Sequence, residues 1–221
     1  IWPLTMTEEA GFSKRHPLVI LIGWLERLGY KKADMIVGTM PKLDLHIRNI
    51  LGYERPFFCS PLGFSEEMRR DEKKHYDTDS FNDKIPKNKF IVGYAGSMGI
   101  SNNLQPFINT IKLLQDNQNI HFVLAGDGDL KQHFDHILKD CRNVTFLGRL
   151  PQQKIPELLD KVDLAYLSVN KSRVWDYGQS MNKVVEYMLV SKPILASYSG
   201  YPSMINEADC GQFIDTDNPL L

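Results

Sequence analysis

From Phe90 to Ile214 the chain alternates two kinds of segment, and that alternation constrains its fold more than any other feature. Short, largely apolar runs (FIVGYAGS, IHFVLAG, VTFLG, LAYLSV, PILAS and GQFI) are separated by segments with helical spacing, such as NLQPFINTIKLLQDN, DLKQHFDHILKD, QQKIPELLDK and SMNKVVEYMLV. Strands that are apolar on both faces need cover on both faces, and amphipathic helices between them supply it. The expected architecture is a doubly wound, Rossmann-like α/β domain with a parallel sheet over residues 90–221. Ahead of it, ADMIVGTM, KLDLHIRNIL and PFFCSPLGF read as strand, helix and strand, the end of a second α/β domain over residues 1–65. Residues 66–89 between the two carry charges of both signs and almost no apolar side chains, and are expected to form an exposed interdomain connection.

Composition narrows the function classes. Net charge over the 221 residues is −1, so no basic surface points to nucleic acid. Cys59, Cys141 and Cys210 are scattered, fitting neither a disulfide framework nor a zinc site, and suit a reducing compartment. Asn143-Val144-Thr145 matches a glycosylation sequon but reads as the lead-in to a strand. The longest apolar run, Pro17 to Tyr30, falls short of the roughly 20 residues that cross a bilayer. It reads as a core helix; a helix resting on a membrane surface, with Trp24 beside Lys31 and Lys32, is the alternative. The chain opens without an initiator methionine and both ends read as cut, so it is expected to be a piece of a longer protein.

Ligands of a doubly wound sheet bind beyond the carboxyl ends of the strands. Those ends carry GYAGSMG (93–99), AGDGD (125–129), FLGRL (146–150), SVNKSRVWDYG (168–178) and ASYSGYP (196–202). The first is glycine-rich enough to cradle phosphate with backbone N–H groups, but a tight strand-to-helix turn with no ligand explains it as well. The helix that begins at Ser180 or Met181 says more. Unpaired N–H donors and the positive end of the dipole gather at its start, and Lys183 adds a full charge there. Glu186 lies about one turn beyond Asn182, where a carboxylate can accept two hydrogen bonds from a vicinal diol. The cluster suits a nucleoside diphosphate; a surface Lys183–Glu186 pair with no ligand is the bland alternative.

The stretch SMNKVVEYMLVSKPILAS resembles the signature helix of retaining GT-B glycosyltransferases, family 4, with Met181 and Ser191 replacing a proline and a glycine of the usual pattern. IVGYAGSMGISNNL, FVLAGDGDLKQHF and VTFLGRLPQQKIPELLDKVDLAYLSV resemble the same family's donor-side strands and loops, and WPLT, WLERLGYKKADMIV and SPLGF resemble the end of its acceptor-side domain. The resemblance implies that Glu186 binds ribose hydroxyls, and that Asn182 and Lys183, with the backbone at Ser180 and Met181, hold the diphosphate. Lys183 and Glu186 are thus the candidate catalytic residues. Gly96, Ser97 and Gly126 would lie near phosphate or sugar, Leu147, Gly148 and Arg149 against the base, and Lys171 and Arg173 would be further phosphate cations. Many relatives carry a glutamate facing the donor sugar where this chain has Gly178, and an arginine–lysine pair where it has Ser101-Asn102-Asn103.

The implied function is transfer of a sugar, with retention, from a nucleotide-diphosphate sugar, UDP-linked by resemblance. The acceptor would be a lipid-linked saccharide in bacterial surface polysaccharide synthesis, at the cytoplasmic face of the plasma membrane with a peripheral contact. No metal or other cofactor is expected. Three alternatives stay open, one of them a non-catalytic module that binds a protein or membrane through the apolar helix near Trp24. An NAD(P)-binding oxidoreductase domain would use Asp127 on an adenosine ribose. A nucleotide-sugar epimerase would share the GT-B fold. With the acceptor half expected in the preceding part of the protein, these residues should bind donor without turning it over.

Overall fold

A computed structural model describes residues 1–63, 81–201 and 204–214. The chain divides into two compact units. The first comprises Ile1–Leu62, Lys171–Met181 and Ser199–Glu207; the second comprises the described residues within Gly63–Asn170, Asn182–Tyr198 and Ala208–Leu221.

The second unit is the expected doubly wound sheet. Two strands of the first unit, β1 (Ile36–Gly38) and β2 (Phe57–Cys59), precede it. Its own strands are β3 (Phe90–Ala95), β4 (Ile120–Ala125), β5 (Val144–Gly148), β6 (Leu164–Ser168), β7 (Ile194–Ser197) and β8 (Gly211–Ile214). All pair in parallel, in the order β5-β4-β3-β6-β7-β8. The chain therefore winds outward from β3 in one direction, returns, and winds outward from β6 in the other. The switch point lies between β3 and β6, where this topology opens a crevice at the carboxyl ends.

Both faces of the sheet are covered. On one, Phe107, Ile108 and Ile111 of α4 (Gln105–Leu113) and Phe134 of α5 (Lys131–Ile137) pack against Phe122, Leu124 and Tyr166. Phe107 stacks on Tyr166 with ring centroids 4.1 Å apart. On the other, Leu158 of α6 (Ile155–Asp160) joins Val162, Ile91, Val123 and Ala125. Most of the charged connection expected over residues 66–89 lies outside the described residues. At its end, Phe81 and Ile85 are buried in this same cluster, because they are the apolar side chains in an otherwise polar stretch. Asn143 of the sequon is buried too. Its amide donates to the carbonyls of Ile111 and Leu114 and satisfies the end of α4, and β5 follows directly.

The first unit contains α1 (Trp2–Glu8), α2 (Pro17–Lys32) and α3 (Leu43–Leu51) besides the parallel pair β1–β2. A 3₁₀ turn, Arg173–Tyr177, and a short helix, Met204–Glu207, join it from later in the chain. The Lys42 N–H donates to the Tyr177 carbonyl. The Lys42 ammonium lies over the Tyr201 ring, and His46 meets the Tyr177 ring edge-on. The expectation of a core helix over Pro17–Tyr30 is corrected here. Within α2 only Val19 is buried, whereas Leu18, Ile20, Leu21, Trp24, Leu25 and Leu28 are 37–59% exposed. The inward face instead holds Glu26, whose carboxylate takes hydrogen bonds from Tyr30 and from His46 of α3 at 3.1–3.2 Å. No described helix is long and apolar enough to cross a membrane.

Candidate functional site

At the switch point α7 (Asn182–Leu189) packs against β3 and β6 through Tyr187. Val184, Val185 and Tyr187 form its buried face. Tyr187 reaches into the gap where β3 and β6 part. Its hydroxyl donates to the Tyr166 carbonyl at 3.1 Å and accepts from the Ala95 N–H at 3.4 Å. Backbone groups left unpaired by the divergence of the two strands are thereby satisfied. The same anchor places Lys183, one turn earlier, at the carboxyl end of β3.

Lys183 is the centre of the cluster. Its ammonium donates to the Tyr94 hydroxyl at 2.9 Å and to the Asn102 Oδ1 at 2.8 Å. Tyr94 spends its own hydrogen on the Ser97 carbonyl at 2.6 Å, so toward the lysine it is an acceptor. The ammonium also lies 4.7 Å from the centre of the Tyr94 ring. Among the described residues no carboxylate stands within ion-pair distance of it. Burial therefore pulls its pKa down from 10.5 to about 8, with Glu186 on the same helix drawing the other way.

The loops after β3, β4 and β5 form the rest of the edge. Gly96 N–H donates to the Ala125 carbonyl, Met98 N–H to that of Asp127, and Gly126 N–H to that of Gly148. This stitching brings backbone against backbone. A Cβ on Gly126 (φ +143°) would lie 1.8 Å from the Gly96 carbonyl oxygen, and one on Gly96 would lie 2.6 Å from the Lys183 Nζ. The glycines at 96 and 126 thus answer first to close packing of loops and lysine, where the sequence suggests room for a ligand. Gly96, Ser97, Gly126, Gly128, Arg149, Leu150 and Ile155 line a groove of about 400 Å³ along this edge.

The structure thus gathers Gly96, Ser97, Gly126, Gly148, Arg149, Asn182, Lys183 and Glu186 in the sheet unit. Asn182 begins α7, one or two residues later than expected, and is exposed. Arg173, Gly178, Ser180 and Met181 belong to the first unit. There Ser180 Oγ accepts from the Leu62 N–H at 2.8 Å, and the Met181 N–H donates to Gln179 Oε1. Gly178 is buried with φ +95°, and an added Cβ would meet the Pro41 ring at 2.6 Å. A glutamate at this position, the residue expected from the family resemblance, has no room here. Arg173 is exposed at the start of the 3₁₀ turn.

Tyr94 and Asn102 join the candidate cluster through Lys183, a role that sequence reasoning does not assign to either. Tyr94 sits inside an apolar strand pattern and carries no signal of its own, and Asn102 reads as an ordinary loop asparagine. Gly128 is legible as the second glycine of Gly-Asp-Gly. Asp127 and Asp129 of the AGDGD run lie beyond β4, where the Asp127 carboxylate accepts from the Gly128 N–H. Among the described residues no three His, Cys, Asp or Glu side chains converge on a metal position. His121 lies near the amino end of β4, with Nε2 2.8 Å from the Thr145 hydroxyl, away from the carboxyl edge.

Residues 89–220 match the family model described as Glycosyl transferases group 1. No curated protein matches the sequence significantly. Among solved structures, the chain is similar to WaaG, a glycosyltransferase involved in lipopolysaccharide biosynthesis (TM-score 0.66, 16% identity, 91% of this chain and 55% of WaaG). It is similar to HepE of Anabaena in complex with UDP (TM-score 0.65, 18% identity, 92% and 54%). It is also similar to a mutant of TarM from S. aureus in complex with fondaparinux, α-GlcNAc-glycerol and UDP (TM-score 0.56, 19% identity, 83% and 37%). At these identities the likeness establishes the fold. The chain spans about half the length of WaaG and HepE.

Proposed function

The chain belongs to the group 1 glycosyl transferases, and on that premise we propose that its sheet unit binds a nucleotide-diphosphate sugar, UDP-linked, and serves sugar transfer with retention. The observation that carries this reading is Lys183. A partly buried ammonium whose hydrogen-bond partners are both neutral is a charge waiting for an anion. It lies at the topological switch point, where this fold receives ligands, and at the start of α7, where unpaired N–H groups favour a diphosphate. Glu186, one turn on, is suited to ribose hydroxyls, and the groove lined by Arg149, Leu150 and Ile155 to the base. HepE, of the same fold, has been solved with UDP, which favours this nucleotide.

In this reading Lys183 and the α7 dipole act on the leaving group. The diphosphate gains negative charge as the glycosidic bond breaks, so a fixed cation beside it stabilises the transition state more than the ground state. The dinucleotide alternative leaves the Lys183 cluster without a role, and the family match sets it aside.

The acceptor in this proposal is a lipid-linked saccharide of bacterial surface polysaccharide synthesis, reached at the cytoplasmic face of the membrane. The exposed apolar face of α2 supports a peripheral contact with an anionic bilayer. Lys14, Arg15, Arg27, Lys31 and Lys32 flank Trp24 and the exposed leucines and are themselves exposed, the charge pattern of an interfacial helix.

Calorimetric titration of the chain with UDP, GDP, ADP and NAD, beside a Glu186→Ala variant, tests the donor site. Selective UDP binding, weakened roughly tenfold in the variant by loss of charge-assisted hydrogen bonds, is the expected result. Binding of NAD alone refutes the proposal. Transfer is not expected from these residues by themselves, and robust turnover by them would contradict that part of the reading.

A further inference from the structure

The lysine at the switch point is held by a device that the donor-site reading does not require. Its loop-side partner, Asn102, ends a 3₁₀ turn, Ile100–Asn102, that the end of β6 grips through three hydrogen bonds. Ser168 Oγ donates to the Asn102 carbonyl at 2.6 Å, the Asn170 N–H to the Ser101 carbonyl at 3.1 Å, and the Asn170 side-chain amide to the Ile100 carbonyl at 2.9 Å. Ser168 is fully buried, so the turn is fixed to the sheet itself. The Asn102 side chain is thereby presented to Lys183 from one side while Tyr94, on β3, meets it from another.

Both partners are neutral acceptors, and that choice has a chemical consequence. A carboxylate at either position would hold the ammonium equally well, but it would neutralise it and compete with an incoming anion. An amide oxygen and a phenol oxygen aim the ammonium and leave its charge unspent. They use two of its three hydrogens, and the third has no acceptor among the described residues. The absent Cβ of Gly96 leaves the space that the ammonium occupies beneath the Gly96–Ser97 turn.

We propose that Asn102, together with Tyr94, is a positioning residue that holds the Lys183 ammonium charged and un-neutralised for the diphosphate of the donor. The proposal rests on the donor-site reading above and adds to it two residues that act through Lys183. The titratable groups facing the ammonium are Tyr94 on β3 and Glu186 on its own helix; the turn contributes only neutral groups. Burial brings this lysine to about 8, with Glu186 drawing the other way, so its charge sits close to being lost near neutral pH.

The test is the pH dependence of UDP affinity in the wild-type chain and in Asn102→Ala, Asn102→Asp and Lys183→Ala variants, with circular dichroism checking the fold of each. Wild-type affinity should fall as pH rises through about 8, where the ammonium discharges. Asn102→Ala removes an acceptor that favours the charged form. It should weaken UDP binding roughly tenfold at pH 7 and move the fall to lower pH. Asn102→Asp, nearly isosteric, should also weaken binding, by competition, yet move the fall to higher pH. A merely structural asparagine would not produce shifts of opposite sign. If both Asn102 variants keep the wild-type profile while Lys183→Ala abolishes binding, the donor site stands and the positioning role of Asn102 is refuted. If Lys183→Ala binds UDP like the wild type, the donor-site reading falls and takes this proposal with it. Should Asn102→Ala fail to fold, the Asn102→Asp profile decides alone.

Discussion

Replacing Lys183 with methionine should make the chain more stable at neutral pH while removing its affinity for UDP. Burial holds the lysine at about 8 against an ordinary 10.5. Each pH unit of that separation corresponds to about 1.4 kcal/mol, so keeping the ammonium charged in the folded chain costs up to about 3 kcal/mol. Methionine retains the length and apolar stem and carries no charge. It leaves the Asn102 and Tyr94 oxygens without their donor, at about 1 kcal/mol together if water reaches the turn. The net expectation is a gain of about 1–2 kcal/mol at pH 7. The sign with pH follows from linkage. The folded wild type releases this proton near 8 and the unfolded chain near 10.5, so across that window the unfolded state holds more protons. Wild-type stability therefore rises with pH there, and the advantage of the variant closes by about pH 9.5. Urea denaturation of both chains at pH 7 and pH 9.5 measures this directly, because the remaining titrating groups are common to both. A variant less stable than the wild type at pH 7, or a difference that does not move between the two pH values, would show that Lys183 is not an uncompensated buried charge.

Three further substitutions separate packing from binding. Gly126→Ala should cost about 3 kcal/mol or more in urea denaturation, since its Cβ would meet the Gly96 carbonyl oxygen at 1.8 Å and neither group is a movable side-chain end; a loss under 1 kcal/mol would mean that the stitched loops yield easily. Gly178→Glu, which introduces the residue expected from the family resemblance, should lower stability by about 2–4 kcal/mol, because φ is +95° and the Pro41 ring occupies the space. It should bring no gain in UDP affinity, read by calorimetry. Leu21→Asp with Trp24→Asp, on the exposed face of α2, should abolish sedimentation with anionic liposomes and leave the urea midpoint nearly unchanged; equal binding of wild type and variant to neutral and anionic vesicles would refute the membrane contact.

Much of the second unit was legible because its signal is local. Residues 90–95, 120–125 and 144–148 are runs too short for helices and apolar on both faces, and such strands stand only inside a helix-covered parallel sheet. The strand ends then pointed to a candidate site, and Lys183 and Glu186 followed as candidates for it from their position at the start of a helix together with the family resemblance. The role of α2 was not legible. Its apolar run has the composition of a core helix, and only Glu26 reaching Tyr30 and His46 shows which face turns inward. Likewise the glycines at 96 and 126 suggest room for a ligand, whereas their nearest neighbours are the chain's own lysine and carbonyl.

By itself, then, the sequence determined the parallel α/β fold and directed attention to the carboxyl edge of the sheet and to Lys183 as a candidate there, since periodicity and helix position are carried by neighbouring residues. Tertiary structure alone decided what holds that cation. Tyr94, Asn102 and Lys183 are separated by 8 and 81 residues along the chain and meet only because β3 and β6 are neighbours in the sheet. It also decided that residues 171–181 and 199–207 leave the sheet unit to pack with the first, through contacts of Tyr177, Gly178 and Tyr201 with Pro41 and Lys42. Such pairings depend on long-range packing, which no local pattern of residue types encodes.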